Sequence, residues 1–153
     1  MKINISNLSE GSHHYVFTEC RDNYDVTPYS LCDDLKIIID LIKSGSELIF
    51  TISINGRIIT QCDRCLDNYE FDFDNKFNLI FKHDLRYKKL NEETEENFRF
   101  LSPHSHFVDL TDDIRDYILL SVPMRKVPEE KDGKCVYCQK NIEELLTGKY
   151  EVK

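Results

Sequence analysis

Length, composition and charge already exclude several classes of protein. The chain has 153 residues, of which 41% are hydrophobic and 11% aromatic, as in one ordinary globular domain rather than a disordered segment. Its apolar runs, such as 37–39 and 118–120, are far too short to span a bilayer, and residues 1–7 alternate in polarity, unlike a signal peptide. We therefore expect a soluble, cytoplasmic protein. The net charge of −8 argues against a protein that binds nucleic acid mainly through phosphate contacts.

Alternating polarity predicts β-strands over the first two thirds of the chain. The predicted strands are residues 2–6, 15–18, 34–43, two strands within 47–60 on either side of residues 55–56, and 69–81, followed by short ones at 98–101 and 107–108. Asn55-Gly56 is predicted to be a hairpin turn, because Asn-Gly is the strongest short signal for one. The strand at 69–81 has an acidic outer face formed by Glu70, Asp72 and Asp74. Residues 82–97, which carry first cations and then glutamates, are predicted to form an exposed loop.

Helical periodicity appears only in the last third of the chain. Apolar residues three or four apart predict a helix over 110–122, which Pro123 ends because the residue before a proline is disfavoured in helical conformation. A second, short helix is predicted over 141–147, with Gly148 as its terminator. Strands followed by helices predict an α+β fold. We expect a single domain over 1–153 with a mostly antiparallel, partly barrel-like β-sheet and a C-terminal helix pair.

Four of the six cysteines form two C-x-x-C pairs, Cys62 with Cys65 and Cys135 with Cys138. Two residues between the cysteines allow one turn to direct both sulfurs at the same ion, and two such turns complete a tetrahedral zinc site with four cysteine ligands. The pairs are separated by 69 residues, whereas simple zinc ribbons separate theirs by about 15–20. The fold must therefore bring them together. We predict one structural zinc knuckle site, closed to water and without a catalytic role.

The cysteines and histidines also allow other interpretations. The two pairs can be separate sets of reduced thiols, or a redox dithiol, although a redox C-x-x-C is expected at the start of a helix. Cys20 and Cys32 are predicted to be buried free thiols rather than a disulfide. The histidines at 13–14 and at 104 and 106 are predicted to be solvated rather than to bind metal.

Three segments of the chain resemble one protein family. Cys62-Asp63-Arg64-Cys65-Leu66 resembles the C-x-R-C-L signature of the YceD (DUF177) family. Residues 108–124 are similar to that family's helical segment, which ends in L-L-S-x-P. Residues 135–142 are similar to its C-x-x-C-G-x-x-L pattern, with Gln139 where glycine is frequent. The three segments lie in the family's order over residues 50–145.

The resemblance implies a bacterial protein needed for the accumulation of large-subunit ribosomal RNA, and hence for assembly of the large ribosomal subunit. It implies no catalytic activity, no small-molecule substrate and no membrane. The implied partner is ribosomal RNA or a basic ribosomal protein of the large subunit. Two alternatives stand beside it: a zinc-stabilised adaptor for some other protein, with which the net charge of −8 is consistent, and a thiol redox protein.

Two groups of residues are candidates for contact with a partner. The first is Arg64 in the first cysteine turn with Arg125 and Lys126 after the helix, which lie together if both turns bind one ion. The second is the basic part of the loop, where a tyrosine can stack on an unpaired base and cations can meet phosphates. That group consists of Lys82, Arg86, Tyr87, Lys88 and Lys89. For it we prefer the simpler alternative of a solvated loop, and for the acidic face of 69–81 a role in solubility rather than in binding a basic protein.

Overall fold

The structure is a computed structural model that describes residues 1–84 and 98–147. Its strands are β1 (Lys2–Asn4), β2 (Gly11–Glu19), β3 (Ser30–Leu31), β4 (Leu35–Ser44), β5 (Glu47–Gln61), β6 (Asn68–His83), β7 (Phe98–Leu101), β8 (Phe107–Asp109), β9 (Glu130–Lys131) and β10 (Lys134–Cys135). Its helices are α1 (Thr111–Leu120) and α2 (Ile142–Thr147). The helices lie within the two segments in which the sequence predicted them.

Six strands form one sheet in the order β2-β4-β5-β6-β7, with β3 paired to β5 beyond the start of β4. Neighbouring strands are antiparallel except β6 and β7, which are parallel. β1 pairs with β8, and β9 pairs with β10, as separate two-stranded ribbons. The predicted mostly antiparallel sheet with two helices is therefore confirmed. Its partly barrel-like form is not confirmed, because the described strands leave β2 and β7 as edges and close no barrel.

One face of the sheet carries the hydrophobic core. In β4 and β5 almost every second side chain is buried, which is the alternation that predicts these strands from sequence. Leu110, Ile114 and Ile118 pack against this face with no exposed surface, and β1 and β8 contribute Ile3 and Val108. The burial of this apolar surface is the main stabilising contribution to the fold, at about 25 cal/mol per Å².

Helix α1 is fixed to the sheet at both ends. Near its start, Asp113 is buried and accepts a hydrogen bond of 2.7 Å from the guanidinium of Arg99 in β7. Near its end, the Asn75 amide in β6 donates to the Tyr117 carbonyl and to the Ser121 hydroxyl, both at 3.0 Å. These bonds set the point on the sheet from which the chain leaves the helix toward the second cysteine pair.

The predicted hairpin turn at Asn55-Gly56 is wrong. β5 runs straight through these residues, and Gly56 lies opposite Phe73 in an unbroken register with β6. A Cβ atom on Gly56 would lie 2.6 Å from Leu35 Cδ2 and 2.8 Å from Phe73 Cζ. Glycine is present here because the core side chains approach the backbone closely, and not because the chain reverses.

Part of the predicted exposed loop at 82–97 belongs to the sheet. Lys82 and His83 are the last residues of β6, so the prediction is wrong for these two. Residues 85–97, which include Arg86, Tyr87, Lys88 and Lys89, lie outside the described residues, as does Gly148. Within the described ranges no helix is long and apolar enough to cross a membrane.

The close approach at Gly56 predicts that Gly56→Ala destabilises the protein. The added methyl group meets Leu35 and Phe73, which are 0% and 5% exposed and have no free space to move into. We expect a loss of about 1–3 kcal/mol in the free energy of unfolding, as for other overpacked cores. Denaturant titration followed by circular dichroism measures it. Ser53→Ala, on the other face of β5, is the control and should change this free energy by less than about 0.5 kcal/mol. An equal effect of the two substitutions would contradict the explanation.

Candidate metal centre

The first cysteine pair forms the turn that joins β5 to β6. The backbone N–H of Cys62 donates to the Asp67 carbonyl, and the N–H of Leu66 donates to the Cys62 carbonyl, both at 2.9 Å. Leu66 adopts a φ of +63°, in the left-handed region. These bonds close the turn, bringing the Cys62 and Cys65 sulfurs close together.

The second cysteine pair repeats this geometry after β10. The N–H of Cys135 donates to the Lys140 carbonyl (3.1 Å), and the N–H of Gln139 donates to the Cys135 carbonyl (2.9 Å). Gln139, with a φ of +58°, occupies the position that Leu66 occupies in the first turn. The two turns are therefore the same local structure built from unrelated intervening residues.

The fold brings the two turns together. The sulfurs of Cys62, Cys65 and Cys135 all lie within 4.8 Å of one another. A second group with the same limit contains the sulfurs of Cys65 and Cys138 and a carboxylate oxygen of Asp67. Because Cys65 belongs to both groups, all four cysteines form one cluster. This cluster could hold a metal ion.

Arg64 connects the first turn to the segment that leads to the second. Its side chain is only 9% exposed, and its guanidinium donates to Glu130 Oε2 (2.8 Å) and to the Pro128 carbonyl (3.0 Å). Burial would lower the pKa of this guanidinium, but hydrogen bonds with Glu130 and with the sulfur of Cys62 outweigh burial and raise it. Arg64 therefore stays charged beside the cysteine cluster.

Three further contacts hold the turns in place. The Asp63 carboxylate accepts a hydrogen bond from the backbone N–H of Lys126 (2.7 Å), and the Asp63 N–H donates to the Lys126 carbonyl (2.8 Å). Lys140 of the second turn forms an ion pair of 2.9 Å with Asp67 of the first. The Tyr137 hydroxyl donates to a backbone carbonyl of β6 at 3.1 Å. The cluster is thus positioned by protein contacts on several sides.

The thiols differ in their readiness to lose a proton. Burial raises the pKa of Cys65 to about 12. At Cys135 burial acts in the same direction, but hydrogen bonds from the backbone N–H groups of Cys138 and Tyr137 outweigh it and lower the pKa of the thiol. Since a metal ion displaces thiol protons when it binds, the affinity of such a site for metal rises with pH.

The donor set fits a thiolate-bound ion. Four sulfur donors at two C-x-x-C turns are the arrangement that tetrahedral zinc prefers. The Nε atom of Arg64 is buried and has no hydrogen-bond partner in the described structure. A positive group at this point offsets part of the negative charge that four thiolates leave around a divalent ion. Cys62 and Cys135 are 1% and 0% exposed, so water is largely kept from two of the donors.

The structure places the residues predicted to contact a partner in different surroundings. Arg64 contacts other parts of the same chain, so its contact with a partner stays a prediction that its burial does not support. Arg125 is exposed, and Lys126 lies 3.4 Å from the Asp63 carboxylate. Lys82 forms an ion pair of 2.9 Å with Glu47 at the far end of β6. That end is roughly 45 Å along the strand from the cysteine cluster, at about 3.3 Å per residue. Lys82 and the group of Arg64, Arg125 and Lys126 therefore lie toward opposite ends of β6.

The acidic face of β6 is partly neutralised. The Arg57 guanidinium of β5 pairs with Asp72 at 2.7 Å and with Glu70 at 3.1 Å. Asp74 is exposed and faces Asn55. Sequence reasoning placed these acids correctly on the outer face, but it missed the arginine on the neighbouring strand.

The remaining cysteines and histidines lie outside the cluster. Cys32 is a half-buried free thiol, whereas Cys20 is exposed, which corrects the prediction that both are buried. The His14 ring bonds to Asp40 Oδ1 at 2.6 Å and the His106 ring to the Ser6 hydroxyl at 3.1 Å. None of the possible metal-binding groups among the described residues contains a histidine.

Sequence reasoning missed most of the residues that support the cluster. The partners of Arg64, Asp63 and Asp67 lie 63 to 73 positions away in the chain, beyond the reach of any local pattern. One available signal was the tyrosine adjacent to each cysteine turn, since the rings of Tyr69 and Tyr137 pack with their centres 5.4 Å apart.

Fold and site together define an α+β sheet protein whose C-terminal segment meets the central β5–β6 hairpin at a cluster of four cysteines that could hold a metal ion. The chain belongs to the YceD family: the family model described as "Large ribosomal RNA subunit accumulation protein YceD" matches residues 50–151, about two thirds of its length. The matched region begins within β5 and includes both cysteine turns and both helices. No curated protein and no solved structure gives a match to the chain.

The backbone of the second turn predicts that Gln139→Gly stabilises the protein. A left-handed conformation costs a residue with a side chain about 1–2 kcal/mol, and glycine avoids that cost. We expect a gain of about 0.5–1 kcal/mol in the free energy of unfolding, after the entropy cost of glycine. Urea titration measures it. Val136→Gly is the control within the same turn, where φ is not positive, and should destabilise. A loss of stability in both variants would show that the hydrogen bond from the Gln139 side-chain amide to the Val136 carbonyl, at 2.7 Å, contributes more than the left-handed backbone costs.

Proposed function

We propose that this protein is a non-catalytic assembly factor that supports the accumulation of large-subunit ribosomal RNA in the cytoplasm, and that its four clustered cysteines hold one structural zinc ion. The observation that carries the proposal is the family match over residues 50–151, which spans every element around the cysteine cluster. The family's description supplies the ribosomal role. A zinc ion bound by the four cysteines would fix the C-terminal third of the chain on the sheet.

The proposed zinc ion has a structural role because its donors are all supplied by the protein. Four cysteine sulfurs complete a tetrahedral shell, whereas catalytic zinc keeps a position for water or substrate. Cys62, Cys65, Cys135 and Cys138 would hold the ion. Arg64 offsets part of the net negative charge of an ion with four thiolates, and the ion links the β5–β6 hairpin to the segment that follows α1.

Arg125 is one of the exposed cations near the cluster, with Lys131 and Lys134. It lies shortly after the end of α1, is exposed, and forms no ion pair within the part of the chain that the structure describes. The neighbouring Met124 is fully exposed. We propose that this short segment makes the contact with the large-subunit partner, with Lys126 beside it. Lys82, at the far end of β6, and the basic residues at 86–89, which lie outside the described ranges, stay a separate, weaker candidate.

Metal analysis tests the zinc proposal. Purified protein should contain about one zinc ion per chain, and Cys62→Ser should reduce this to well under half, because three thiolates bind zinc less tightly than four. The same substitution should lower the thermal stability. Cys20→Ser is the matched control, since Cys20 is an exposed thiol outside the cluster. A zinc content unaffected by Cys62→Ser would exclude this site.

Depletion with complementation tests the ribosomal role. Loss of the protein should reduce large-subunit particles on a density gradient, and the wild type should restore them. Arg125→Glu should restore them poorly, because it reverses the charge of the proposed contact. Lys76→Glu makes the same charge change at an exposed lysine on the outer face of β6 and should restore them fully. An unchanged gradient after depletion would refute the ribosomal role, and full rescue by Arg125→Glu would refute only the contact.

The two alternative functions give distinct results in simple experiments. An adaptor unrelated to ribosomes would recover no ribosomal component after crosslinking in cells. A thiol redox protein would oxidise its C-x-x-C pairs under mild peroxide and release the metal. The cysteine turns lie at strand ends rather than at the start of a helix, where the helix dipole would lower thiol pKa values. This placement favours the structural role.

A further inference from the structure

The strand β2 forms one edge of the main sheet. It pairs with β4 over nine consecutive residues, from Gly11 opposite Lys43 to Glu19 opposite Leu35, without a bulge. No strand in the described parts of the chain pairs with its other side. A long, regular edge offers a row of free backbone donors and acceptors to any compatible strand.

This edge lacks the features that usually prevent pairing. Natural edge strands are protected by lysines, prolines, bulges or short length. β2 contains no lysine, arginine or proline, and its only acidic residue is Glu19 at its end. The opposite edge, β7, has four residues and includes Arg99. The two edges therefore differ sharply in their capacity to accept another strand.

We propose that β2 pairs antiparallel with β2 of a second copy of this chain, about a two-fold axis at Val16. This inference goes beyond the proposed ribosomal function and does not depend on it. Pairing across a two-fold axis is self-complementary, so each residue meets its counterpart twice. In this register the two residue numbers of each pair add up to an even number. Residues that face the core in one copy therefore pair with residues that face the core in the other, on the same side of the joined sheet.

The pairs formed in this register are compatible at every position. Val16, which is 55% exposed, lies opposite Val16 of the second copy. Tyr15 lies opposite Phe17, and these two side chains already stack at 6.1 Å within one copy and are half-buried on the core side. His13 lies opposite Glu19. Aromatic and β-branched cross-strand pairs are favourable, and no like charges meet in spite of the net charge of −8.

A pairing centred on Val16 uses residues 13–19 and leaves Gly11 and Ser12 unpaired. From Ser12 to Thr18 the strand carries no lysine, arginine, aspartate or glutamate. A charge at the centre of the pairing would lie opposite the same charge of the second copy, so an uncharged residue at Val16 suits a two-fold pairing.

Sedimentation or light scattering over a range of protein concentrations tests the proposal. The wild-type mass should rise toward twice the monomer mass of 18.1 kDa. Val16→Lys and Val16→Glu each place two like charges opposite each other and should each remain monomeric. An equimolar mixture of the two variants should recover the dimer mass, because lysine then faces glutamate. Recovery in the mixture also shows that the single variants are folded.

Ile42→Lys is the matched control. Ile42 lies on the same outer face and is 46% exposed, but it belongs to β4, inside the sheet, and should leave the dimer intact. A wild-type chain that stays monomeric at the highest concentration overturns the proposal. The edge of β2 would then be open for pairing with a strand of a different protein. A dimer that persists in both Val16 variants also overturns it, because the interface must then lie elsewhere.

Discussion

The convergence of two cysteine turns that lie 69 residues apart in the chain is the constraint on which the rest of the structure depends. Bringing distant segments together costs conformational entropy that grows with the length of the free loop. Contacts elsewhere in the fold shorten the free part of that loop. Asn75 holds the end of α1 on β6, so only residues 122–134 remain to reach the second turn. Within this stretch Asp63 fixes Lys126, and Arg64 fixes Pro128 and Glu130.

The long β5–β6 hairpin determines where the site can be. Its fifteen-pair register carries the first cysteine turn well beyond the start of β4, so the cluster lies at one end of the sheet rather than over the core. Gly56 keeps this hairpin regular at the place where Leu35 and Phe73 crowd the backbone. A bulkier residue would disturb the same register that positions Cys62. Core packing and site geometry are in this way coupled through one strand pair.

Several charges of the protein are compensated locally. Arg57 balances two acids of β6, Glu47 balances Lys82, and Lys140 balances Asp67. The net charge of −8 therefore does not translate into one uniformly acidic surface. Arg125, Lys131 and Lys134 are exposed cations outside these pairs.

The sequence by itself determined the elements whose signals are local. Alternation in β4, β6 and the first part of β5, helical spacing in α1 and the short apolar pattern of α2 predicted the observed elements, and the spacing within each C-x-x-C pair predicted its turn. The resemblance of three short segments also identified the family that the full comparison shows. These features depend on residues a few positions apart, and a period of two or of 3.6 is visible without knowing the fold.

Tertiary structure decided what depends on distant partners. Asn55-Gly56 has the sequence of a turn, yet it lies within a strand because the apolar residues on both sides stay in phase on the core face. Arginine is typical of exposed contact surfaces, yet Arg64 is largely buried. Its guanidinium donates hydrogen bonds to Glu130 and to the Pro128 carbonyl. The meeting of the two cysteine pairs, and the open edge of β2, follow only from the order of strands in the sheet. Strand order is set by packing between segments far apart in the chain, and no local pattern records it.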